Sequence, residues 1–64
     1  MLPKELRSRR ILLGVLLDAL GARVGIEPLL LANMESGEEP ITSAVTLALE
    51  ALERQRAEST NEQQ

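Results

Sequence analysis

The chain has 64 residues, no Cys, no His and no aromatic side chain, and its formal net charge is -3. It is long enough for one domain and lacks a disulfide staple, thiolate and imidazole nucleophiles, and the usual general acids and bases of neutral pH. Zinc lacks its usual ligands and single-stranded nucleic acid lacks a stacking platform, so no enzyme, cofactor site, metal site or single-strand binder is expected.

Taken in chain order, Leu2 and Pro3 open a first helix, because Pro in the first turn has no N–H to leave unsatisfied. Leu6, Arg10 and Leu13 share one face at helical spacing, and Gly14 is the expected stop. A second apolar-rich helix is predicted over Val15 to Val24, with Gly25 ending it in the left-handed conformation. Pro28 starts a short third helix, "PLLLANM", which runs into the acidic corner "MESGEEP". After Pro40, Thr42 or Ser43 caps a fourth helix whose Val45, Ala48, Leu49 and Leu52 recur at i, i+3, i+4 and i+7. The domain is expected to occupy residues 1–56, with 57–64, "AESTNEQQ", as a frayed or disordered polar tail.

A competing architecture is a helical hairpin: one helix from Pro3 to Met34, a turn over Ser36 to Pro40, and a second helix, two chains pairing as a four-helix bundle. An internal Gly costs about 1 kcal/mol relative to Ala and an internal Pro about 3, so Gly14, Gly21, Gly25 and Pro28 together cost roughly 5 to 6 kcal/mol. That equals the whole stability expected of so small a domain, about 5 kcal/mol. An all-α fold of four or five short helices, broken at the glycines, is therefore favoured.

Charge is uneven along the chain. Residues 1–25 hold Lys4, Arg7, Arg9, Arg10 and Arg23 against Glu5 and Asp18, a balance of +3. Residues 26–64 hold eight glutamates against Arg54 and Arg56, a balance of -6. "KELRSRR" followed by "ILLGVLL" imitates a signal peptide, but Asp18 closes the apolar run and no small-x-small cleavage site follows. The run is also about half the length a membrane span needs, so no membrane partner is expected and the expected location is the cytoplasm.

The segment "LGVLLDALGARVGIEPLLLANMESGEEPITSAVTLALEAL" resembles the helix-turn-helix domain of the lambda repressor and Cro family, often called the Xre type. "LRSRRILLG" (Leu6 to Gly14) is similar to the family's first helix, and "LGARVGIEP" (Leu20 to Pro28) to its second helix and turn. "MESG" (Met34 to Gly37) stands where relatives have "WExG", followed by Pro40 and the "AVTLALEAL" helix; the likeness covers residues 4 to about 54. It implies a compact lambda-repressor-like fold with Leu20, Val24, Ile26, Leu31 and Met34 inward against Leu6, Leu13, Val45, Leu49 and Leu52. It also implies an ion pair between Arg10 and Glu35.

On function the resemblance implies a small transcriptional regulator that binds double-stranded DNA as a homodimer. Pro28, Leu29, Leu30, Ala32 and Asn33 would occupy the recognition positions, Asn33 and the apolar Leu29 and Ala32 reading base edges, while Lys4, Arg7, Arg9 and Arg23 touch phosphates. The residue types argue for a different partner. Leu16 and Leu17 replace the usual Thr-Gln at the start of the second helix, and Glu38 and Glu39 stand where relatives carry Arg and would repel phosphate. The alternative is a protein that keeps the fold but not DNA, with Leu16, Leu17, Leu29 and Leu30 forming an interaction patch for a second copy or another protein's helix. A third reading buries all of these leucines in the core, a dimer core included, so that the protein is simply an obligate dimer and they say nothing about function.

Overall fold

The structure is a computed structural model that describes residues 1–62, and the surroundings of side chains through Ser59. It is all-helical, with α1 over Pro3–Leu12, α2 over Leu17–Val24, α3 over Pro28–Ser36 and α4 over Ser43–Glu62, and no strand among the described residues. The single Pro3 to Met34 helix of the hairpin alternative is absent.

Three of the four helices end by the same device. Gly14, Gly25 and Gly37 each take positive φ, at 71, 80 and 89°. The reversal lets the next amide reach back to a carbonyl of the last turn: Val15 N–H donates to Arg10 O at 3.3 Å, Ile26 N–H to Gly21 O at 2.9 Å, and Glu38 N–H to Asn33 O at 2.9 Å. Carbonyls that a helix end leaves orphaned are thereby satisfied. A residue with a Cβ pays roughly 1 kcal/mol or more in this conformation, which is why the breaks fall at glycine.

The starts differ from one another. Pro3 and Pro28 occupy the first turns of α1 and α3, while Thr42 Oγ1 accepts the Val45 N–H at 3.4 Å and caps α4. α2 begins at Leu17, not at Val15 as the sequence suggested. Val15 donates its amide to the end of α1, and Leu16 is extended at φ -70°, ψ 154°, so neither is free to take up helix.

Leu6 of α1, Leu20 of α2, Leu31 and Met34 of α3, and Val45 and Leu49 of α4 form the buried core. Leu13, Val15, Leu17, Val24, Ile26, Ile41, Ala48 and Leu52 pack around it, half-buried. α1 and α2 each touch both α3 and α4. Gly21 sets how closely α2 approaches the following turn: it is buried, and a Cβ there would lie 2.8 Å from Ile26 O. No methyl group fits that gap, which explains why a helix interior accepts a residue costing about 1 kcal/mol in propensity.

α4 does not stop near residue 56 but continues to Glu62, so residues 57–62 of the expected frayed tail are helical; Gln63 and Gln64 lie outside the described residues. Besides the pair of Arg9 with Glu53, side chains further along hold its second half to the rest of the chain. Arg23 Nη2 donates to Gln55 Oε1 at 3.4 Å, and Arg56 Nη1 donates to the Leu12 carbonyl. The result is elongated, with principal extents of 41 × 21 × 18 Å. No helix among the described residues is long and apolar enough to cross a membrane.

Candidate interaction surface

α3 divides its residues by helical spacing into two faces. Leu31, Met34 and Glu35 point into the protein, whereas Pro28, Leu29 and Ser36 are exposed and Ala32 and Asn33 half-exposed on the outer row. Glu35 anchors the inner row. Its carboxylate takes two hydrogen bonds from Arg10, Nε to Oε2 at 2.6 Å and Nη2 to Oε1 at 3.1 Å. The third arm of the guanidinium, Nη1, donates to Val15 O at 2.9 Å. Only 13% of the Arg10 side chain and 7% of the Glu35 side chain remain accessible, so one fork ties α1, the α1–α2 turn and α3 together in a largely water-excluded place.

The outer row is apolar in its first half, polar at Asn33 and Ser36, and contributes no cation of its own, although Arg7 of α1 lines a hollow with Ala32 and Ser36. Leu29 is 70% exposed, Leu30 37% and Leu16, at the cap of α2, 73%. These three lie outside the core that the single chain forms for itself. Leu17 is the exception: it packs half-buried against the core and drops out of the expected patch, because α2 starts one residue after Leu16 and turns Leu17 inward. Asn33 uses its backbone carbonyl to receive Ser36 Oγ at 3.1 Å and the amides of Glu38 and Glu39 at 2.9 and 3.2 Å, while its side-chain amide has no partner among the described residues.

The four cations expected at phosphates fall into two groups. Arg9 is committed to α4, with Nε donating to Glu53 Oε2 at 2.9 Å and Nη2 to Oε1. That hydrogen bond holds the Glu53 carboxyl below the ordinary carboxylate range and raises the already high Arg9 guanidinium. Arg23 leans on Gln55 of α4. Lys4 and Arg7, both exposed on α1, have no ion pair or hydrogen-bond partner in the described protein and line a groove of about 500 Å³ with Leu2, Pro3, Glu35 and Ser36. Around the ends of α3 the exposed charges are Glu27, Glu38 and Glu39, with Lys4 and Arg7 facing its last residue, Ser36, across the groove.

Sequence reasoning missed three features. Glu53 lies 44 residues from Arg9, and no spacing rule joins them. Ile11 and Leu12 are exposed, Leu12 at 73%, although both sit in the apolar run "ILLGVLL"; Leu47 of α4 is exposed as well. For Leu47 the signal was present, because it falls between the inward i, i+3, i+4 positions of α4. Comparison with protein-family models, curated proteins and solved structures gives no match to this chain.

Proposed function

We propose that the chain is a helix-turn-helix domain of the lambda repressor and Cro type in which α3 docks onto another protein's helix. The observation that carries this reading is the outer face of α3: Leu29 and Leu30 stand in solvent on a helix that carries no cation of its own and is flanked in sequence by Glu27, Glu38 and Glu39, with Leu16 exposed at the cap of α2. Duplex DNA presents about one phosphate charge per 1.7 Å, and affinity for it comes largely from Lys and Arg that displace its counterions. Apolar helix-in-groove contact suits the leucines better, since exposed apolar groups gain by leaving water whereas carboxylates facing phosphate do not.

A second reading, a homodimeric DNA-binding regulator, is favoured by Asn33 with its free amide and by the unpaired Lys4 and Arg7 on the neighbouring helix. Titrating a labelled duplex with the protein at about 50 mM salt separates the two, because phosphate contacts give micromolar or tighter, steeply salt-dependent binding under those conditions. The docking reading expects no such binding, and expects Leu29→Glu to abolish capture of a protein partner that the wild type retains. Salt-sensitive duplex binding lost in Asn33→Ala or Arg7→Ala would replace it with the DNA reading.

A further inference from the structure

Lys4 and Arg7 have no task when α3 docks by its leucines alone, yet they stand beside that same helix. The outer row of α3 runs through Leu29, Ala32 and Ser36, an i, i+3, i+7 track along one face. Seven residues of helical rise make the track about 10 Å long. Arg7 of α1 borders its second half, where a hollow of about 300 Å³ is lined by Arg7, Arg10, Ala32, Glu35 and Ser36. The groove of about 500 Å³ that holds Lys4 shares Arg7, Glu35 and Ser36 with this hollow, so the two form one continuous trough. A Cβ on Gly37 would lie 3.6 Å from Pro3 Cγ, which places the start of α1 directly beside the end of α3.

We infer that the helix docking on α3 carries a carboxylate about two turns from the apolar residue that meets Leu29, and that Lys4 and Arg7 select it. The inference rests on the docking reading above and deepens it, because it states the partner's chemistry: an amphipathic helix with an acidic end.

Charge complementarity carries the choice. Glu35 contributes a carboxylate to the lining of both hollows, but Arg10 already holds it at 2.6 and 3.1 Å. Lys4 and Arg7 are exposed and have no ion pair or hydrogen-bond partner among the described residues, so the trough presents two uncommitted cations next to apolar Leu2, Pro3 and Ala32. A carboxylate on a largely apolar helix matches both halves of that surface. A phosphate backbone matches only one, and its charges repeat about every 1.7 Å. Such a rod would also meet Glu38 and Glu39, which follow Gly37 at the end of the trough, and Glu5, which lies between the two cations in sequence. A single carboxylate meets the cations without that repulsion.

Two terminally blocked synthetic peptides of about 15 residues, roughly 22 Å of helix, test the inference. Both carry leucines at i, i+3 and i+4; one adds two glutamates two turns further on, the other glutamines at the same places. Each is titrated into the full chain at about 50 mM salt, where exposed charges are weakly screened, and followed by methyl and side-chain NMR shifts. The glutamate peptide is expected to bind about three- to tenfold more tightly, the range that two exposed ion pairs supply, and to shift Leu2, Lys4 and Arg7 as well as Leu29. That advantage is expected to close at about 1 M salt. It is also expected to vanish in the double variant Lys4→Gln with Arg7→Gln, whose far-UV circular dichroism stays that of wild type because both side chains are exposed. Equal affinity of the two peptides, each shifting Leu29, would overturn this inference and leave the docking of α3 standing. No shift at Leu29 with either peptide would overturn both. A labelled duplex that engages Lys4 and Arg7 more tightly than the glutamate peptide at the same salt would overturn it in favour of phosphate.

Discussion

Arg9 and Arg10 are neighbours on α1 and both form forked pairs with a glutamate, yet the two pairs stand in different surroundings. Arg10 and Glu35 keep 13% and 7% of their side chains accessible, whereas Arg9 and Glu53 keep 29% and 34%. Water competes for the second pair and hardly reaches the first. The same chemistry one residue apart is thus an internal brace in one case and a surface clasp in the other, and burial decides which.

Removing one partner from each pair breaks the comparison at its strongest point. Glu35→Ala leaves the Arg10 guanidinium buried with only the Val15 carbonyl, and an orphaned buried charge costs about 3 to 5 kcal/mol. Domains of this length have roughly 3 to 10 kcal/mol in total, so Glu35→Ala is expected to lose most of its helical signal or to melt tens of degrees lower. With no aromatic residue in the chain, far-UV circular dichroism is the natural readout. A melting point within a few degrees of wild type would show that Arg10 is not desolvated.

Glu53→Gln is the smaller lesion. Discounted for an exposure of about a third, it is expected to cost less than about 1 kcal/mol. Its pH dependence sharpens the contrast. The folded-state carboxyl of Glu53 is lowered, so its contribution is fully present above the ordinary carboxylate range and is lost as pH falls through the lowered value. Melts of wild type and Glu53→Gln should differ at neutral pH and converge in strong acid; a gap that persists in acid would mean that the pair does not act through charge. At the low end, Glu38→Ala, in the exposed α3–α4 loop, is expected within about 0.5 kcal/mol of wild type.

The contrast between these two arginines also marks what the sequence could reveal. Helix breaks were legible because they rest on local chemistry: Pro3, Gly14, Gly25, Pro28, Gly37 and Thr42 act through their own φ, missing donor or side-chain oxygen. The inward positions Leu6, Val45 and Leu49 followed from helical spacing, whereas Leu20, Leu31 and Met34 were placed inward through the family resemblance. Arg10 and Glu35, 25 residues apart, could be joined only through a family resemblance, and Arg9 with Glu53, 44 apart, not at all. Arg9 was accordingly expected at a phosphate. The exposed Leu12 escaped notice because an unbroken apolar run does not say which of its members face water. The end of α4 escaped too, because the contacts of Gln55 and Arg56 that hold it are tertiary.

The contact at Gly21 has a consequence for how this molecule tolerates change. The separation of α2 from the turn leading into α3 is set by one backbone meeting another, with 2.8 Å between a would-be Cβ and Ile26 O. Side chains elsewhere in the core can shrink, grow or repack while that stop stays where it is. The direction in which the domain presents α3 therefore depends on Gly21, since a side chain there would have to move the turn that leads into it. The domain's surface chemistry is free to diversify on a frame whose geometry one missing methyl group keeps in place.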